Sequence, residues 1–235
     1  MAVHAATHLL AWRHPQARGA AGRCIGQTDL TVDLRKAKRL AHRIRSVARR
    51  EQLPHEVTVS ALRRAREGGR WLARWGWQVH VDARLNELDF GAWDGLPWSA
   101  IAWSGVQAWQ DELLHHAPGG GESLAALAAR VRSFLAEPAP AMRLVVTHGG
   151  WLNAWLHVPA GTTALAATDW PPAPPHMSLV RGAAQPRATK HAALRPAAMS
   201  ICRAVRPPRR KSVVAWVADA DHSFIATLFP PRSPP

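Results

Sequence analysis

The stretch Arg143-Leu-Val-Val-Thr-His-Gly-Gly150 decides the fold. A short run of aliphatic residues with no polar alternation reads as a strand buried on both faces, the kind that fills a parallel sheet covered by helices. It stops at a histidine and a glycine pair, after which Trp151 to His157 reads as a helix. Far upstream, Thr7-His-Leu-Leu-Ala-Trp12 is a second such run, closed by Arg13-His14-Pro15. It reads as a strand ending at Arg13 or His14, because proline pushes the residue before it away from helix. Between the two, Leu34, Ala37, Leu40, Ile44 and Val47 form a helical stripe that Thr31 or Asp33 can cap. Glu56 to Val59 and Gln78 to Val81 read as short strands, and Ser60 to Gly76 as a helix weakened by Gly68-Gly69. Residues 84–121 are rich in Trp and Gly and read as loops and short helices. Glu122 to Leu135 reads as a helix and Met177 to Arg181 as a last strand. Strands and helices alternating at this spacing predict an α/β fold, a three-layer αβα sandwich with a mostly parallel central sheet.

The chain has 235 residues, 47% of them apolar, which suits one α/β domain with an appendage and excludes wholesale disorder. No apolar run approaches the ~20 residues that cross a bilayer. The start, Met1 to Leu10, lacks the basic head and long apolar stretch of a secretory signal, so a cytoplasmic protein is expected. Cys24 and Cys202 are too few for a disulfide framework or a four-cysteine zinc site, and are expected to be reduced thiols. The formal net charge is +14, and 26 of the 30 basic residues are Arg. Residues 183–235 hold nine basic and two acidic residues and eight prolines. They are expected to form a basic, Pro/Arg-rich and poorly ordered appendage to a catalytic domain spanning 1–182. Two apolar runs inside it, Val213 to Ala218 and Phe224 to Phe229, could be strands. A nucleic-acid surface would interleave basic side chains with aromatics. The run Arg206-Pro-Pro-Arg-Arg-Lys211 has no aromatic, so a nucleic-acid partner is not expected, nor is a membrane.

Ligands of open α/β sheets bind beyond the carboxyl ends of the strands. His14 and His148 both follow strands and should face one crevice. Arg13 adjoins His14, and Arg64 opens a helix directly after a strand. A helix N-terminus offers free N–H groups and partial positive charge, and guanidinium groups bind oxyanions through paired hydrogen bonds. Two His, two Arg and a helix end describe a site for a doubly charged anion, most simply phosphate. Metal motifs are weak by contrast. His115-His116 are adjacent, so their rings point apart, and His55-Glu56 lacks a second His one helical turn on. Gly119-Gly-Gly-Glu122 lacks the Gly-Lys ending of a nucleotide-cradling loop. No cofactor is expected.

Four words then fall in order: Arg13-His14, Ser60-Ala-Leu-Arg-Arg-Ala65, Leu85-Asn-Glu-Leu-Asp-Phe-Gly-Ala-Trp-Asp-Gly95 and His148-Gly-Gly150. Together they resemble the histidine phosphatase superfamily, with its phosphoglycerate mutase-like fold, over residues 7–181. Pro15 stands where the family has glycine, and Ala61 where it has proline. Gly22-Arg-Cys-Ile-Gly-Gln-Thr-Asp-Leu30 is similar to the corresponding stretch of alpha-ribazole phosphatase-type members, with Ile25 in place of tyrosine.

The resemblance implies metal-independent phosphoryl transfer through a phosphohistidine. His14 would be the nucleophile, and must be neutral to attack. Arg13, Arg64 and His148 would bind and stabilise the phosphoryl group. Glu87 would be general acid and then base, with Asp89 and Asp94 as nearby competitors. A carboxyl in that role needs shielding from water, so Glu87 is expected to be partly buried. Gly26 and Gln27 either line the substrate side or form an ordinary polar turn, and Cys24 is expected to be a small wall residue. The specific expectation is a phosphatase acting on alpha-ribazole 5′-phosphate in cobalamin biosynthesis. Its alternatives are a phosphoglycerate-type mutase, or a catalytically idle anion- or nucleic-acid-binding module using the basic tail.

Overall fold

The structure, a computed structural model, describes residues 8–138 and 142–183. Thr7, Cys202, both apolar runs of the tail and the remainder of the expected appendage lie outside the described residues. Five strands form one sheet: β1 (His8–Arg13), β2 (Glu56–Ser60), β3 (Gln78–Asp82), β4 (Met142–Thr147) and β5 (Leu179–Ala183). Their order is β3-β2-β4-β1-β5. All neighbours are parallel except β5, which closes the edge antiparallel to β1. Five α-helices accompany them: α1 (Leu34–Arg50), α2 (Arg63–Arg74), α3 (Trp103–Asp111), α4 (Leu124–Leu135) and α5 (Gly149–His157).

The period of two along the central strands builds the three layers. Leu10 and Trp12 of β1, with Leu144 and Val146 of β4, face the layer of α1 and α2. Leu9, Ala11 and Val145 face the other layer, where α3, α4 and α5 supply Trp109, Phe134 and Trp151. Neither face is left for water, so no polar alternation was to be seen in these strands. Trp151 is wholly buried, and its indole N–H donates to the Arg84 carbonyl at 2.8 Å, so even the polar edge of this large ring is satisfied.

The expected elements form, with shifted ends. The α2 helix begins at Arg63, three residues later than read, because β2 runs on through Ser60 and Leu62 stays extended as the cap. It continues unbroken through Gly68-Gly69. A Cβ on Gly69 would sit 3.0 Å from Val79 and 3.1 Å from Val59, so this glycine lets the helix lie close against the sheet. The α5 helix begins at Gly149, two residues earlier than read, and takes in the glycine pair. The last strand begins at Leu179 because Met177 takes a left-handed φ of 63° and turns its N–H onto the Arg13 carbonyl. Asp33, one of two candidate caps, holds the start of α1 through the N–H groups of Arg35 and Lys36. No helix among the described residues is long and apolar enough to cross a membrane.

Candidate active site

Register brings the two histidines together. Parallel pairing sets Arg13 of β1 opposite Thr147 of β4, so the next residues, His14 and His148, leave the sheet side by side. The His14 N–H donates to the Thr147 carbonyl at 3.0 Å, and the two rings lie 4.8 Å apart between centroids. On the other side of β4, β2 feeds into α2, whose second residue is Arg64. The three side chains meet at the carboxyl end of the sheet, with His148 touching both others, and all are buried.

Hydrogen bonds set the tautomers. The Nδ1–H of His14 donates to the Pro15 carbonyl at 2.6 Å, which leaves the Nε2 lone pair free to react. Proline serves here because only its carbonyl is used. His148 is fixed the other way: its Nδ1 accepts from Nε of Arg64 at 3.2 Å, and its Nε2–H donates to Ser60 Oγ at 2.7 Å. Ser60 passes its own hydroxyl proton to Asn86 Oδ1 at 2.8 Å. Ala61 donates its backbone N–H to the same Asn86 oxygen at 3.0 Å, a bond the family's proline could not make. Burial first, then the neighbouring Arg64, hold both imidazoles well below the usual histidine range; His176 and Arg13 add to this at His14, and His14 and Arg13 at His148. Both rings are neutral at neutral pH.

Arg64 is held in place by the backbone. Its two terminal nitrogens donate to the carbonyls of Gly26 at 2.6 Å and Thr28 at 2.8 Å. That loop is in turn anchored by Asp94, whose carboxylate accepts from the N–H groups of Gly26, Gln27 and Thr28 and from the Thr28 hydroxyl. A Cβ on Gly26 would collide with the Leu88 carbonyl, so the position is closed to other residues. The Arg13 guanidinium donates to the Pro174 carbonyl at 2.8 Å and lies against Gly149, where a Cβ would come within 3.3 Å of its Cζ.

Geometry separates the three candidate carboxylates. Asp94 holds the loop, and Asp89 turns back onto the Gly91 N–H at 2.8 Å. Glu87 is the one turned to the start of α5, two residues beyond His148. It is buried, accepting from the Leu88 N–H at 2.9 Å and from the Gly150 N–H at 3.1 Å. The glycine at 150 is required because a Cβ there would run into the carboxylate itself. Gln27 braces this segment: its Nε2 donates to the Glu87 carbonyl at 2.6 Å. Cys24 is buried in the core, and burial together with Asp94 and Glu87 pushes its thiol far up, so it stays protonated.

Besides Asn86, two contributors were not read from sequence. Arg130 of α4 donates to the carbonyls of Arg84 at 2.8 Å, Asn86 at 2.9 Å and Glu87 at 3.3 Å while paired with Glu122. It pins the segment that carries Glu87. His176, just before β5, donates Nδ1–H to the His14 carbonyl at 3.0 Å and sets its ring 5.3 Å from that of His14. Neither is flagged by a motif word. Among the described residues no group of three or more His, Cys, Asp or Glu side chains is arranged to hold a metal ion.

Residues 9–190 match the model of the histidine phosphatase superfamily, branch 1. The chain belongs to this superfamily. It is 32% identical over 178 residues to the glucosyl-3-phosphoglycerate phosphatase of Mycobacterium tuberculosis, covering 62% of this chain and 75% of that one. It is also 32% identical over 157 residues to a probable phosphoglycerate mutase of Yersinia enterocolitica, covering 61% and 70%. Among solved structures, the mycobacterial glucosyl-3-phosphoglycerate phosphatase complexed with VO3 superposes with a TM-score of 0.56 at 28% identity, covering 75% of this chain and 92% of that one. A Thermus thermophilus protein superposes at 0.54 and 29% identity, covering 74% and 92%. As a superfamily member, the chain keeps all four words of the resemblance inside the matched region.

Proposed function

We propose that the protein is a phosphatase that hydrolyses a small phosphomonoester through a phosphohistidine on His14. The observation that carries this reading is a neutral imidazole with its Nδ1 proton committed to a carbonyl and its Nε2 lone pair free, walled by Arg13, Arg64 and His148. In the first step Nε2 attacks phosphorus and the ester P–O bond breaks. Glu87 gives a proton to the departing oxygen. Arg13 and Arg64 spread the charge of the equatorial oxygens, with His148 keeping Arg64 aimed. In the second step Glu87 takes a proton from water, the water oxygen attacks phosphorus, and the N–P bond breaks to release phosphate. Every charge the reaction develops has a side-chain partner in this scheme, which supports a metal-independent phosphomonoesterase.

The leaving alcohol is a finer question. Alpha-ribazole 5′-phosphate is the candidate drawn from the Gly22–Leu30 word, and glucosyl-3-phosphoglycerate the one suggested by relatives. Much of that word has structural work: Gly26 and Thr28 carry Arg64, and Gln27 braces Glu87. Its resemblance therefore weighs less on substrate than on phosphate binding. A phosphate-release screen in chelator over alpha-ribazole 5′-phosphate, glucosyl-3-phosphoglycerate and 3-phosphoglycerate tests the reading. Release from at least one substrate, abolished by His14→Ala, supports it. Isomer formation from 3-phosphoglycerate without net release would instead favour a mutase, and inactivity on every compound would favour the idle binding module.

A further inference from the structure

The charge of this domain is not spread evenly. Residues 1–182 hold 21 Lys+Arg and 14 acids, yet eight of those cations lie in α1, which has no acidic residue at all. Outside α1 the same region is balanced, with 13 basic residues and 14 acidic. An Arg-rich composition alone would not collect its whole excess on one helix. All eight cations of α1 are exposed: Arg35, Lys36, Lys38, Arg39, Arg43, Arg45, Arg49 and Arg50. Among the described residues none of them joins an ion pair.

This arrangement works against the helix. Arg35, Arg39 and Arg43 stand four residues apart, each like-charged pair costing about 0.2–0.5 kcal/mol, and the cations of the first turn oppose the helix dipole. Packing of Leu40, Ala41, Ile44 and Val47 on the sheet holds α1 regardless. Beside it, Trp71 and Trp75 carry a row of cations. Lys38 and Arg74 lie 5.0 Å from the Trp71 ring, Arg45 lies 5.5 Å from Trp75, and His42 tilts over Trp75 at 4.5 Å. These contacts fix long side chains that would otherwise lose entropy on binding.

We infer that the exposed face of α1, with the edge of α2, is a docking surface for the phosphate backbone of a nucleic acid. Its 17 residues run ~25 Å, long enough to meet several successive phosphates. The indole faces are covered by the protein's own cations, so recognition goes through phosphates and is independent of sequence. A lipid surface fits less well, because the apolar side of α1 is spent on the core and has nothing to insert. The basic interleaving with aromatics that the run Arg206 to Lys211 lacks is thus found on this helix pair.

The test uses the full chain and a labelled 20-nucleotide oligo(dT), read by fluorescence anisotropy across a salt series. Wild type should bind with a steep salt slope. The quadruple variant Lys36→Gln, Arg39→Gln, Arg49→Gln, Arg50→Gln should weaken binding on the order of 100-fold at ~0.1 M salt and reduce the slope by about 3. Its phosphomonoesterase turnover should be unchanged, which shows that the domain is folded. A tail variant, Arg209→Gln, Arg210→Gln, Lys211→Gln, should leave most of the affinity in place. The inference is overturned if wild type does not bind, if the quadruple variant binds as wild type does, or if the tail variant alone abolishes binding. Co-sedimentation with phosphatidylserine vesicles without oligonucleotide binding would also overturn it, in favour of a lipid surface.

Discussion

One proton on His14 Nδ1 decides what that ring can do, and two backbone carbonyls control it. Pro15 takes the proton, and the carbonyl of His14 itself is held by Nδ1–H of His176. His176 is therefore a positioning residue that also lowers the basicity of His14 electrostatically. The two effects separate by mutation. His176→Leu loses the hydrogen bond and should lower kcat about tenfold, within the range of a misplaced catalytic group. His176→Asn can still donate and should restore most of it. Both variants remove that electrostatic influence, so in both the acid limb of kcat/KM should move to higher pH. A His176→Leu enzyme with unaltered kcat and pH profile would deny the residue either role.

At the scale of elements, the glycines of α2 and α5 look like weak points in sequence and prove to be points of closest packing. In Gly69→Ala, the methyl gains about 1 kcal/mol in helix propensity but presses on Val59 and Val79, and overpacking of this kind costs about 1–3 kcal/mol. The expected result is a net loss of ~1 kcal/mol by urea denaturation; a stabilised variant would show that the sheet yields freely. The sheet and its layers were legible because β1 and β4 are continuous apolar runs and α1 has a clear stripe. His14, Arg64, Glu87 and His148 were legible because each sits in a recognisable word at an element's end. Arg130, Asn86 and His176 were not, because their contribution is to hold backbone carbonyls and side chains contributed from distant elements. Asp94 was visible only as a rival to Glu87, since its work is done across 66 to 68 residues of chain.

For the whole molecule, two buried neutral histidines tie stability to pH. In the unfolded chain each titrates near pH 6.5, whereas the fold holds both well below that. The unfolded state therefore binds more protons below about pH 6.5, and stability must fall as pH falls through that value. Tm should drop between about pH 7 and about pH 5, and less steeply in His14→Asn, which removes one of the two groups. Equal slopes in the two proteins would show that other groups dominate. The same desolvation that costs stability in acid leaves His14 unprotonated and able to attack, so fold and chemistry draw on one feature. The most direct test is rapid acid-free quenching of the enzyme with a radiolabelled phosphomonoester, followed by mapping of the label. The account predicts an acid-labile, base-stable phosphoryl group on His14, absent in His14→Ala. Turnover with no protein-bound phosphate, or label on any other residue, would contradict it.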